Sequence, residues 1–167
     1  MLPHENIQIV RNRKCFKCKK QTQVVAFGVE KYFNILDENI YDTDSPFSYV
    51  NDDISISPIP DKLPANFLKY LKDNFYLYKD YSFQADESYL VNHCQHCNAI
   101  QGNFYLFDEV NSPFFIDSID SAKNLTLYRM NLKHDIILPL PELGFGSEDY
   151  LIKEYASIID TGISLDL

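Results

Sequence analysis

The chain has 167 residues, a net charge of −9, 14% aromatic residues and four cysteines. That length suits one domain with a real core. The charge argues against non-specific binding to nucleic acid or anionic membrane, and no stretch approaches the ~18 apolar residues of a membrane span.

Residues 5–13 and 22–29 read as paired strands around the first two cysteines, with Ile7 and Ile9 on one face of the first. Residues 37–60 are rich in Asp, Asn, Ser and Pro and read as an acidic loop with one short strand near Ile54 and Ile56. Pro64 opens a helix, since its missing N–H is not needed in a first turn. Phe67, Leu68, Tyr70, Leu71 and Phe75 form its apolar stripe. The aromatic run 76–81 reads as strand or turn. Residues 87–92 form a strand leading into the second pair of cysteines, and 103–107 a strand leaving it. In the latter, Phe104 and Leu106 alternate with Tyr105 and Phe107, so both faces are partly covered. Gly102 stands at the handover, where a positive φ is expected.

Residues 125–130 alternate as a further strand. Ile136-Ile137-Leu138 is a short apolar run closed by Pro139 and Pro141. Ser147 reads as an N-cap, with Glu148 and Asp149 favouring the helix dipole behind it. Tyr150, Leu151, Glu154, Tyr155, Ile158 and Ile159 continue that helix. The expected fold is α+β: a β-rich single domain over 1–167 with about two helices.

The cysteines carry the strongest signal. Cys15-Phe16-Lys17-Cys18 and Cys94-Gln95-His96-Cys97 use every cysteine of the chain. Two C-x-x-C turns supply the four thiolates of a tetrahedral structural zinc site, so Zn2+ is the expected cofactor. The long separation excludes a short zinc finger. It suits a split zinc ribbon with knuckles at 13–22 and 92–102, each at a hairpin tip, and residues 30–87 inserted between them. A redox site would need a C-x-x-C at a strand-to-helix junction within a βαβ pattern, and neither knuckle has that context. Disulfides would suit an oxidising compartment. The opening Met1-Leu2-Pro3-His4-Glu5 does not read as a signal peptide, so a cytoplasmic location is expected.

Arg11, Arg13, Lys14, Lys17, Lys19 and Lys20 surround the first knuckle without an intervening acid. Four thiolates on a dication carry net charge −2, and nearby cations favour the ionised sulfurs. The competing reading is an electropositive patch for phosphate or nucleic acid, which the acidic remainder of the chain opposes. His93 and His96 flank the second knuckle and are expected beside the ligands or on the surface, because four thiolates already fill the site. His4 and His134 carry no spacing signal.

With Cys15-Phe16-Lys17-Cys18-Lys19-Lys20-Gln21-Thr22 upstream, the segment Asn92-His93-Cys94-Gln95-His96-Cys97-Asn98-Ala99-Ile100-Gln101-Gly102-Asn103-Phe104 resembles small bacterial zinc-ribbon proteins of uncharacterised function. The likeness covers residues 14–29 and 88–116, including Ser112-Pro113-Phe114-Phe115. It implies Cys15, Cys18, Cys94 and Cys97 as metal ligands in a β-rich frame, and it implies no activity. Asn98 stands where that pattern usually has glycine, and Asn tolerates the left-handed conformation better than most residues.

The expected function is a non-enzymatic, zinc-stabilised protein-binding module. One concrete version is an immunity or antitoxin protein that neutralises a basic toxin, since the acidic surface would steer toward a basic partner. An enzyme is the alternative, but four cysteines leave a metal no open position. No H-E-x-x-H, phosphate-cradling glycine loop or G-x-S-x-G is present, and the deaminase pattern fails at His93, which Cys94 and Gln95 follow. The other alternative is a nucleic-acid-associated ribbon using the basic residues beside Phe16.

Overall fold

The structure, a computed structural model, describes residues 2–3, 6–35, 47–83, 86–133, 136–137 and 148–165. It is a β-rich α+β fold. The larger sheet contains β1 (Leu2–Pro3), β2 (Asn6–Lys14), β3 (Gln21–Ile35), β4 (Phe47–Ser57), β8 (Thr126–Leu132) and β9 (Ser157–Leu165). Its strands run β4-β3-β2-β8-β9, with β1 pairing β3 beyond the end of β2. The smaller sheet contains β5 (Leu77–Ser82), β6 (Glu87–His93) and β7 (Ile100–Gln101) in that order. The described helices are α1 (Ala65–Phe75), α2 (Ile119–Lys123), α3 (Tyr150–Tyr155) and a π-helical turn at Phe104–Asp108.

β3 explains the layering. Val24, Val25, Ala26, Phe27 and Val29 are all buried, as in a strand covered on both faces. Val25, Phe27 and Val29 join Phe67, Leu71 and Phe75 of α1 and Leu77 and Leu90 of the smaller sheet. Val24 and Ala26 point the other way, into a core with Ile54, Leu106, Leu127, Leu151 and Ile152. The larger sheet therefore lies between α1 with the smaller sheet on one side and α2, α3 and the π-turn on the other.

The helix after Pro64 forms as expected. Phe67, Leu71 and Phe75 are its buried residues, and Pro64 occupies the cap with extended geometry. The paired strands around the first knuckle also form, and β3 runs beyond residue 29 to Ile35. The side chains of Ile7 and Ile9, and the expected N-cap at Ser147, lie outside the described residues.

Four expectations are corrected. Much of the acidic stretch 37–60 is the strand β4, which pairs with β3 along its length. Ile54 and Ile56 are buried, and Ser55 between them faces less covered surroundings. Residues 103–107 are not a strand. Leu106 of the turn is fully buried, Phe107 packs against the same core, and Glu109 N–H closes a wide turn on Phe104 O at 3.0 Å. Gly102 does not take a positive φ. The last helix ends at Tyr155, because Ser157 N–H turns to Leu125 O at 3.1 Å and β9 then runs parallel to β8. Ile158 and Ile159 are thus strand residues, whose β-branched side chains suit a pleated surface. The short helix α2 went unread. Ser118 and Ser121 form a reciprocal capping box at its start.

Candidate metal centre and adjoining groove

Both knuckles sit at hairpin tips. The first joins β2 to β3, where Lys14 pairs with Gln21. The second joins β6 to β7, where His93 pairs with Ile100. Their backbones repeat one another. Cys15 N–H donates to Lys20 O at 2.9 Å, and Lys19 N–H donates to Cys15 O at 3.0 Å. Cys94 N–H donates to Ala99 O at 3.0 Å, and Asn98 N–H donates to Cys94 O at 2.8 Å. Lys19 and Asn98, each just after its second cysteine, are both left-handed, with φ of 63° and 55°.

This repeat places the four thiols face to face. The Sγ atoms of Cys15, Cys18, Cys94 and Cys97 all lie within 4.8 Å of one another. Cys15 Sγ is 3.8 Å from Cys97 Sγ, and Cys18 Sγ is 3.7 Å from Cys94 Sγ. Sulfurs about 2.3 Å from one ion in a tetrahedron stand about 3.8 Å apart. A disulfide would need about 2.05 Å, and all four cysteines are free. The four together form a possible metal-binding site, and its donor set and spacing fit a closed tetrahedral ion.

The surroundings favour a thiolate at Cys94. Burial pushes the Cys94 thiol up. N–H groups of His96 and Cys97 and the thiols of Cys15 and Cys18 outweigh that and bring it down to about 6. The N–H of Ala99 pulls Cys97 down, but desolvation and the neighbouring sulfurs raise it to about 11. Neighbouring sulfurs are among the causes of both opposed shifts, and a dication among them would favour every thiolate. Gln101 Nε2 donates to Cys15 Sγ at 3.6 Å, and His96 N–H to Cys94 Sγ at 3.4 Å.

The hairpins are fastened to one another. Thr22 Oγ1 accepts from Gln95 N–H at 3.1 Å. Exposed His96 bonds through Nε2 to Gln21 O at 2.8 Å. His93 is fully buried, with Nε2 3.1 Å from Asp80 Oδ2 and its ring stacked on Tyr78 at 3.8 Å. Neither histidine belongs to the sulfur cluster. His4 and His134 lie outside the described residues. Lys14, Lys17, Lys19 and Lys20 are exposed around the first tip, and Lys19 Nζ folds back onto Phe16 O. Arg13 is half-buried and donates to Tyr105 O at 3.0 Å. Desolvation lowers its pKa, and the charges of Glu109 and Cys15 oppose that.

Sequence reading missed the groove beside this centre. Its volume is about 1240 Å³, and its lining includes Phe16, Ile59, Phe83, Tyr89, Phe104 and Tyr105. Phe16 is 52%, Phe104 59% and Phe83 90% exposed. Aromatic residues packed against each knuckle were the available signal, but nothing local said that they converge. Among the described residues, no helix is long and apolar enough to cross a membrane. No protein-family model matches the chain, and no curated protein or solved structure matches it.

Proposed function

We propose that Cys15, Cys18, Cys94 and Cys97 hold a structural zinc ion, and that the protein is a non-enzymatic binding module for a basic protein partner, of which a toxin is one example. The supporting observation is an aromatic-lined groove beside a closed set of four sulfurs. Zinc would supply a cross-link between two hairpin tips that lie far apart in sequence. Four thiolates leave it no open position for a substrate or water. The exposed aromatics are the residue type that dominates binding hot spots. The net charge of −9 would speed encounter with a basic partner.

The test is native mass spectrometry of the protein purified at low salt from the cells that make it. One zinc per chain with a copurifying basic protein is the expected result, with association slowing as salt rises. Metal-free protein with reactive thiols would overturn the zinc reading. Zinc-loaded protein with no protein partner, or with turnover of a small molecule, would overturn the binding-module reading.

A further inference from the structure

The groove runs along an unfinished sheet edge. β6 has seven residues, but β7 pairs only with Asn92 and His93. Alternate residues of an antiparallel strand turn their N–H and C=O groups to opposite sides. His93 N–H points toward β5 and reaches Tyr76 O at 3.1 Å. Ser88 and Leu90 therefore turn the other way, and no strand among the described residues meets them there. The Leu90 N–H is taken instead by the side chain of Asp61, whose Oδ1 lies 2.7 Å away. A carboxylate placed on an open edge protects it from indiscriminate pairing.

The charges along this edge are uneven. Asp61, Asp80, Glu87 and Glu109 line the groove with Arg13 and Lys17. Arg13 is already engaged with Tyr105 O and compensates Glu109. Asp80 and Glu87 lie at the β5–β6 end, where Asp80 is paired with Tyr89 and Glu87 with Ser82 across the ladder. Phe83, almost wholly in solvent, follows Ser82 directly, one residue past the partner of Glu87, and its ring meets Tyr81 edge-on at 5.0 Å. Asp80 is held by His93 Nε2 and the Tyr81 N–H, so Glu87 is the carboxylate left beside this exposed ring, and the two together are a seat for a cationic side chain.

We propose that this groove binds an extended cationic peptide segment of the partner, which adds a short strand along Ser88 and Leu90. A Lys or Arg side chain of the segment sits against Phe83 and Glu87. The proposal rests on the protein-binding reading and gives it a site and a chemistry. Main-chain bonds to the edge supply affinity, and the acidic aromatic end supplies selectivity. A carbonyl of the incoming segment replaces Asp61 at the Leu90 N–H and frees that carboxylate for the segment's positive charge.

The probe is the peptide acetyl-Lys-Val-Arg-Val-Lys-Val-amide, titrated into zinc-loaded, 15N-labelled protein and followed by amide chemical shifts. Saturable shifts centred on Ser88, Tyr89, Leu90 and Asp61 are expected, with none from the same peptide carrying Glu at its basic positions. The double variant Phe83→Ala with Glu87→Lys should bind about tenfold more weakly or worse. Both side chains are exposed, and unchanged zinc content and melting confirm that the variant is folded. Absence of saturable shifts at β6, or unchanged affinity in the variant, overturns the proposal. Shifts at this edge produced by oligothymidine, or by raising the protein's own concentration, also overturn it. If the copurifying partner remains bound to the double variant, the groove assignment falls and the protein-binding reading stands.

Discussion

Lys19 and Asn98 are structural counterparts, each the left-handed residue that follows the second cysteine of its knuckle. Each sends its N–H back to the first cysteine's carbonyl, and so points both sulfurs inward. For L-residues this conformation costs roughly 1–2 kcal/mol, and β-branched residues suffer most. The two positions nevertheless differ. Asn98 Oδ1 accepts from Tyr78 O–H at 2.6 Å, whereas Lys19 N–H and Nζ bond only within their own turn.

Lys19→Gly should therefore raise stability by about 0.5–1 kcal/mol, the relief of strain less the added entropy of the unfolded chain. Asn98→Gly should be near neutral, because the same relief is offset by the lost hydrogen bond. Valine at either position should cost about 1–2 kcal/mol. Urea denaturation of zinc-loaded protein checks all of these, and equal responses at the two positions would contradict the distinction.

Cys94→Ser should abolish stoichiometric metal binding and lower the melting temperature, and chelation of the parent should do the same. Apparent zinc binding in small domains reaches about 10–16 kcal/mol and is often the whole of their folding energy. Here two apolar cores exist apart from the sulfurs. The metal-free protein should thus retain the larger sheet while amide protection falls around the two knuckles. Metal analysis with hydrogen exchange reads both effects. Unchanged metal content in Cys94→Ser would remove the metal centre altogether.

The four-cysteine cluster was legible because C-x-x-C spacing is a local property that the chain carries wherever it folds. Phe67, Leu71 and Phe75 were legible for the same reason, since one helix face decides their burial. β4 was hidden because its partner β3 offers a place for Ile54 and Ile56 that Asp and Asn around them do not advertise. Ile158 and Ile159 continued a helical period by coincidence, and pairing with β8 overrode it from a distance. Phe104 to Phe107 have strong strand preference, yet they wind into a turn that buries Leu106 and packs Phe107 against the same core. The groove was illegible because Phe16, Phe83 and Phe104 come from three hairpins or turns that only the fold brings together.

Glu30 joins three elements. Its carboxylate lies 3.2 Å from Arg129 Nη2 of β8 and 2.9 Å from Lys153 Nζ of α3. Both cations are about a third exposed, so solvent screens the attraction. The carboxylate itself is mostly covered. Glu30→Ala should cost about 1–2 kcal/mol, since Arg129 already has a buried Nε with no hydrogen-bond partner among the described residues. Glu30→Gln should cost less, because an acceptor remains. Denaturation of the two variants at low and high salt separates the charge from the hydrogen bond.

Asn92 stands in for a missing strand. Pairing of β3 with β4 begins at Phe27 opposite Ser57, the last residue of β4. Val25 lies two residues earlier and turns its N–H and C=O to the same side, where β4 has already ended. Asn92 of β6 supplies both partners: Val25 N–H donates to Asn92 Oδ1 at 2.7 Å, and Asn92 Nδ2 donates to Val25 O at 3.0 Å. The side chain is buried, so water cannot replace it. Each buried backbone group left unpaired costs about 1–3 kcal/mol. Asn92→Ala should thus cost about 2–4 kcal/mol, and Asn92→Asp should be no better, because a carboxylate would face the Val25 carbonyl. This bond also fixes the smaller sheet against the larger one two residues before Cys94. The Ala variant should therefore bind zinc more weakly even at temperatures where it remains folded. Competition with a colorimetric zinc chelator measures that loss, and undiminished zinc affinity would show that the knuckles align without this tie.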